Sequence, residues 1–150
     1  MKNFARLSLL ALIGALALGV VDMAQGAQIV WQGDKCLDVR GGGTVEHTPV
    51  QIWDCQSGNP NQEWVFDNGA LIGIGGQCLD VPDGSVDNGV PMQMFPCHGG
   101  PNQRWTVSGG HIITLGRKCL DVREGRTFNG NFVQTWDCQP GNPRQQFTIH

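Results

Sequence analysis

CLDVRGGGTVEHTPVQIWDCQSGNPNQEWVF, residues 36–66, is written twice more in the same chain. It returns as CLDVPDGSVDNGVPMQMFPCHGGPNQRWTV from residue 78 and as CLDVREGRTFNGNFVQTWDCQPGNPRQQFTI from residue 119, at offsets of 42 and 41 residues. A period held that evenly through three copies marks one supersecondary unit used three times, none of which can bury its apolar face alone. The fold must therefore be assembled from three repeats of about 41 residues, spanning roughly 27–68, 69–109 and 110–150.

The chain has 150 residues, many glycines and prolines, no tyrosine and modest charge, which fits one small globular domain at 27–150. Beyond residue 26 it carries 8 basic against 12 acidic residues. A phosphate backbone attracts clustered Lys and Arg, whereas these are scattered apart from Arg117 and Lys118, so nucleic acid is not an expected partner. Residues 1–26 read as a signal peptide: Lys2 and Arg6 precede an apolar run from Leu7 to Val21, followed by small residues at Ala24 and Gly26. The run falls short of the roughly 20 residues needed to span a bilayer, and no other stretch reaches that length. The mature chain is expected to start near Ala27 and to be extracellular.

In an oxidising compartment the six cysteines pair with each other. The repeat selects Cys36 with Cys55, Cys78 with Cys97, and Cys119 with Cys138, one bridge per repeat and each 19 positions long. On the loop-entropy model such a ring contributes on the order of 3 kcal/mol. Zinc fails on spacing: there is no CxxC, and the four histidines fall at unrelated places in the repeats. No metal or cofactor is expected.

Apolar runs are short and separated by turn chemistry, as in strands joined by hairpins, and helical periodicity is absent after residue 26. Four strand candidates per repeat give twelve strands and an all-β architecture with pseudo-threefold symmetry. Propellers need roughly 4 to 8 blades to close, so three units would leave open edges, which soluble proteins avoid. A closed barrel capped by three hairpins, the β-trefoil, solves that.

Period-two alternation sorts the side chains. Leu37, Val39 and Ile52 point to the core, while Asp38, Gln51 and Trp53 share the face that carries the bridge, because bridged Cβ atoms must face each other at about 4 Å. The same reading joins Asp80, Gln93 and Phe95 in repeat 2, and Asp121, Gln134 and Trp136 in repeat 3. A carboxylate and an amide beside a flat ring suit a sugar, which presents vicinal hydroxyls on one edge and an apolar C–H face.

The sequence of motifs CLDV, then QxWxC, then NQxW resembles the ricin-B-type (R-type) lectin and carbohydrate-binding β-trefoil family over residues 27–150. The resemblance implies shallow sugar pockets lined by Asp38, Gln51, Trp53, Asn61 and Gln62 in repeat 1, and by Asp80, Gln93, Phe95, Asn102 and Gln103 in repeat 2. In repeat 3 it implies Asp121, Gln134, Trp136 and Gln145, with Arg144 where Asn is expected. Arg144 is placed to pair with Asp121 and take up the carboxylate. Trp64, Trp105 and Phe147 belong to the motif's structural half and are expected in the core.

The implied function is a secreted, non-enzymatic, multivalent lectin whose partners are glycans, most commonly galactose-type in that family. Glycoside hydrolysis wants two carboxylates about 5 to 9.5 Å apart across a cleft, and each repeat offers one matched Asp. The alternatives are a detached carbohydrate-binding module of a glycoside hydrolase, or a trefoil protease inhibitor or defence protein. The inhibitor has no need of three pockets.

Overall fold

Every CLDV segment pairs with the QxW segment of its own repeat in the computed structural model, which describes residues 26–150. The expected signal peptide, Gly26 apart, lies outside the described residues. Repeat 1 supplies β1 (Ile29–Trp31), β2 (Lys35–Val39), β3 (Val50–Asp54) and β4 (Val65–Asp67). Repeat 2 supplies β5 (Ala70–Ile72), β6 (Cys78–Asp80), β7 (Val90–Pro91), β8 (Gln93–Phe95) and β9 (Thr106–Ser108). Repeat 3 supplies β10 (His111–Thr114), β11 (Lys118–Val122), β12 (Val133–Asp137) and β13 (Phe147–Ile149). They form three antiparallel sheets, ordered β13-β1-β2-β3, β4-β5-β6-β8 and β9-β10-β11-β12-β7. Pairing of β1 with β13, Trp31 opposite Phe147, ties the two ends of the fold together.

Thirteen strands stand among the described residues where the sequence predicts twelve. The extra one comes from VPMQMF, which divides at Met92: β7 pairs with β12, while β8 pairs with β6. The N–H of Arg40 and Arg123 donates to Pro49 and Phe132 C=O and extends those ladders, whereas Pro82 stands at that position in repeat 2 and has no N–H, so the β6–β8 ladder stops at Asp80 and Gln93. The same crossing links all three repeats, since Val50 N–H donates to Met92 C=O at 3.3 Å and Met92 N–H to Val133 C=O at 3.0 Å.

The core is stacked in sets of three related side chains. Leu37, Leu79 and Leu120 form one set, Val39, Val81 and Val122 another, and Trp64, Trp105 and Phe147 a third, all buried as alternation predicts. The two indoles also satisfy their N–H groups, Trp64 Nε1 on Leu37 C=O and Trp105 Nε1 on Leu79 C=O, each at 3.0 Å. One place breaks the symmetry. Trp31, buried with its Nε1 donating to Pro143 C=O at 2.8 Å, stands where repeat 2 has Gly73 and repeat 3 has Thr114. A Cβ on Gly73 would lie 3.0 Å from Met94 Cε and 3.1 Å from Trp64 Cζ3, so the large side chain fits only once.

Thr135 takes the position of Ile52 and Met94 in this stack and is fully buried, yet its hydroxyl has no hydrogen-bond partner among the described residues. An unpaired buried hydroxyl costs about 1–3 kcal/mol. Thr135→Val is therefore expected to stabilise the fold by about 1 kcal/mol. That corresponds to roughly 3–5 °C in a thermal melt, and a lower melting temperature would show that the hydroxyl is satisfied.

Candidate functional site

The β2–β3 register sets Asp38 directly opposite Gln51 and Cys36 opposite Trp53. Repeat 2 sets Asp80 opposite Gln93 and Cys78 opposite Phe95, and repeat 3 sets Asp121 opposite Gln134 and Cys119 opposite Trp136. The disulfides Cys36–Cys55, Cys78–Cys97 and Cys119–Cys138 are formed, one per repeat. Each closes the strand pair beside its aromatic ring.

The third component arrives on a single 3-10 turn: Pro60–Gln62, Pro101–Gln103 or Pro143–Gln145. Proline at the first position is pre-set for such a turn. Asn59 and Asn142 cap two of the turns, accepting from the N–H of Asn61 and Arg144 at 3.0 Å. The turn directs its final glutamine inward, beneath the aspartate.

Asp38 is the hub of site 1. Gln51 Nε2 donates to Oδ1 at 2.9 Å and Gln62 Nε2 to Oδ2 at 3.1 Å. Site 3 repeats this, Gln134 and Gln145 each donating to Asp121 at 3.0 Å. In site 2 Asp80 accepts from Gln93 at 3.0 Å, Gln103 at 2.9 Å and also Asn102 at 3.0 Å. A carboxylate offers about four acceptor sites, so among the described residues two positions on Asp38 and on Asp121 and one on Asp80 receive no hydrogen bond.

Two expectations need correction. Gln62, Gln103 and Gln145 are 0%, 1% and 0% exposed and do not reach the pocket surface. Gln62 spends its amide on Asp38 and Asp54 C=O and accepts from Gln56 N–H at 2.8 Å. These glutamines hold the aspartate in place. Arg144 does not form an ion pair with Asp121; it lies across Gly125, where a Cβ would meet its Cγ at 3.3 Å. The buried Asp121 carboxylate thus has no ion pair, although the Arg144 charge still acts on it from a distance.

Around Trp53, which is 38% exposed, a cleft of about 340 Å³ is lined by Asp38, Gly41, Gln51, Gln56, Asn59 and Asn61. Asn61 faces this cleft, whereas its counterpart Asn102 is turned onto Asp80. A second cleft of about 360 Å³ surrounds Phe95, Asp80, Gln93 and Asn102. It includes His47 and His98, which the sequence pattern did not single out. The sequence reading also missed Arg40, whose Nε donates to Gln51 Oε1 at 2.9 Å while its guanidinium stacks 4.9 Å from the Phe132 ring centre. Asp54 and Asp137, turned off the pocket face as alternation predicts, pair with Lys35 and Lys118, and Asn129 and Asn88 join those pairs. The signal was present in the sequence: Lys before the first cysteine and Asp before the second recur in repeats 1 and 3 and are absent from repeat 2, at Gln77 and Pro96.

Burial pushes the Asp38 and Asp121 carboxyls above the ordinary 3.8, only partly offset by their glutamine donors and, at Asp121, by the charge of Arg144. Bonds from Lys35 and Lys118 hold Asp54 and Asp137 below that value. The signs differ. Asp38 and Asp121 contribute stability that is full below 3.8 and is lost as pH rises through their raised values; Asp54 and Asp137 contribute stability present above 3.8 and lost as pH falls through their lowered ones. A ligand that uses the ionised Asp38 must therefore dissociate on acidification at a midpoint above pH 3.8, before the lysine-paired acids protonate. Titrating ligand affinity and near-UV circular dichroism over the same pH range checks this. Binding and fold lost together would refute it.

The model of the ricin-type beta-trefoil lectin domain matches residues 22–74 and 68–150. Over 69 residues the chain is 38% identical to the probable lipoprotein EnvE of Salmonella typhimurium and 35% identical to nigrin b of Sambucus nigra. Those matches take in 45% and 46% of this chain but only 39% and 12% of the relatives, so it spans well under two thirds of their length. Among solved structures, the C-half of the earthworm R-type lectin in complex with GalNAc is 25% identical with a TM-score of 0.72, over 83% of this chain and 97% of that one. An exo-β-1,3-galactanase from Clostridium thermocellum is 27% identical with a TM-score of 0.70, over 83% of this chain and 29% of the enzyme. With the threefold repeat, the bridges and the pockets in view, the chain belongs to the ricin-type β-trefoil lectin family and has its carbohydrate-binding fold.

Proposed function

We propose that this protein is a secreted, multivalent lectin that binds galactose-type sugars through the Asp–Gln–aromatic pockets of its repeats. The observation that carries the reading is site 1. A half-exposed indole stands beside a buried carboxylate with two acceptor positions unused, in an open cleft that fits one sugar ring. The ring packs under the C–H face, Asp38 accepts from two neighbouring hydroxyls, and Asn61 supplies a further polar contact from the rim. The secretory character of residues 1–26 and the three closed disulfides support export.

A shallow single-sugar pocket buries few contacts, and its affinity is on the order of mM, near −4 kcal/mol. Avidity over several sites supplies the rest, raising apparent affinity on a dense glycan surface by ~10² or more. A second reading, a binding module acting beside a glycoside hydrolase, is favoured by the galactanase, of which the matched part is under a third.

A glycan array, followed by titration of the best ligand into wild type and Trp53→Ala, tests the proposal. Losing the stacking ring is expected to cost about 1.5 kcal/mol at site 1, roughly tenfold, with the melting temperature unchanged because the indole is exposed. An array without a bound glycan, or a Trp53→Ala variant with wild-type affinity at site 1, overturns it. Retention on insoluble galactan but not on free galactosides would favour the appended module.

A further inference from the structure

The pockets are completed across repeat boundaries, and one position in the loop before each QxW strand does it. Gly130 of repeat 3 stands at site 1: a Cβ there would lie 3.8 Å from Gln51 Oε1 and 3.9 Å from Trp53 Cζ3. Gly89 of repeat 2 stands at site 3 in the same way, 3.6 Å from Trp136 Cζ3 and 3.9 Å from Gln134 Oε1. At site 2 the position belongs to repeat 1 and holds His47. The backbone confirms the equivalence: the N–H of Gly130, Gly89 and His47 donates to Ile52, Thr135 and Met94 C=O at 2.9, 2.8 and 2.8 Å. All three have a left-handed backbone, with φ of 91°, 85° and 69°. Glycine adopts that conformation without steric cost, so a histidine there is an outlier of the kind that clusters at functional sites.

We propose that His47 is the specificity-determining residue of site 2, restricting it to sugars unsubstituted on the edge that faces this loop, while sites 1 and 3 leave that edge open. The inference rests on the lectin reading above. His47 Nδ1–H donates to Gln93 Oε1 at 2.9 Å, and its ring stands edge-on to Phe95 at 5.4 Å between centres. The imidazole thus fills the flank of the stacking ring that the glycines leave empty. His98 stands edge-on to Phe95 as well, at 6.0 Å, so the ring is walled by two imidazoles. His47 lines the cleft and its Nε2 has no partner among the described residues, so it is free to accept from a sugar hydroxyl, whereas an ether has no hydrogen to give it and brings a methyl group against the ring. A pocket with one group too many at a filled edge rejects the larger ligand by about tenfold or more.

The test is a site-resolved NMR titration of the purified protein with methyl β-galactoside and its 2-, 3-, 4- and 6-O-methyl ethers. The Trp53 indole N–H reports site 1 and the His98 imidazole reports site 2. At least one ether is expected to bind site 1 as the parent does and to be about tenfold weaker at site 2. His47→Gly should bring that ether back to parent strength at site 2, and Gly130→His should impose the loss at site 1 without altering site 2. If Gly130→His does not fold, His47→Gly decides alone. Identical ether profiles at the two sites in wild type, or a site 2 profile unchanged in His47→Gly, overturn the proposal while leaving the lectin intact. No response of Trp53 to the galactosides overturns the galactose reading and this inference together.

Discussion

Asp38→Ala is expected to take neutral-sugar binding at site 1 below detection, a loss of about 3 kcal/mol or more. Two hydroxyl bonds to an ionised acceptor are worth roughly 1.5–3 kcal/mol each, and a pocket that starts near mM has nothing to replace them. The fold should survive. Burial disfavours the Asp38 charge, so removing the group also removes a desolvation cost, which offsets the donors left on Gln51 and Gln62. Gln62 keeps its bond to Asp54 C=O at 3.0 Å. Ranking the three aspartates by unused acceptor positions predicts equally large losses for Asp38→Ala at site 1 and Asp121→Ala at site 3. Asp80→Ala is expected to cost less at site 2, because Asn102, Gln93 and Gln103 already occupy most of its carboxylate. Titration of each variant, read at its own site with the melting temperature as control, decides the order. A larger loss for Asp80→Ala than for Asp38→Ala would show that free acceptor positions do not govern binding.

The equal rank of site 3 departs from the expectation that Arg144 takes up the Asp121 carboxylate, and the difference shows where sequence reading stops. Period two and the cysteine pairing placed Leu37, Ile52, Asp38, Gln51 and Trp53 on their faces, because a strand allows only two and the bridge fixes one of them. The count of related strands was also legible, except in repeat 2, where Pro82 lacks the N–H that Arg40 and Arg123 give to the ladder and the strand divides. Contacts between repeats were not legible. Arg144 was expected on Asp121 from motif position, but an exposed, flexible arginine follows the local surface and lies across Gly125. His47 sits in the sequence of repeat 1 and acts at site 2, and no periodicity within a repeat carries that information. Gln62 was read as a sugar ligand because it is part of the motif, whereas the direction of one 3-10 turn decides whether it faces ligand or core.

Gln62→Leu should separate holding the aspartate from touching the sugar. The side chain is 0% exposed and serves four partners: Asp38, Asp54 C=O, Gln56 N–H at 2.8 Å and Gln28 Nε2 at 3.3 Å. Leucine fills similar volume without any of these bonds. The Gln56 N–H and Asp54 C=O are then orphaned, each costing about 1–3 kcal/mol, so a total loss of about 3 kcal/mol is expected. For a domain of this size that lowers the melting temperature by roughly 10 °C. Binding should weaken at site 1 for a second reason. The Gln62 bond is one of the two that hold the Asp38 carboxyl down against burial. Without it the carboxyl rises further, and the acid midpoint for sugar release moves to higher pH than in wild type. A residue that only touched the sugar would lower affinity uniformly with pH and leave the melting temperature alone. An unshifted midpoint together with an unshifted melt would return Gln62 to the role of direct ligand.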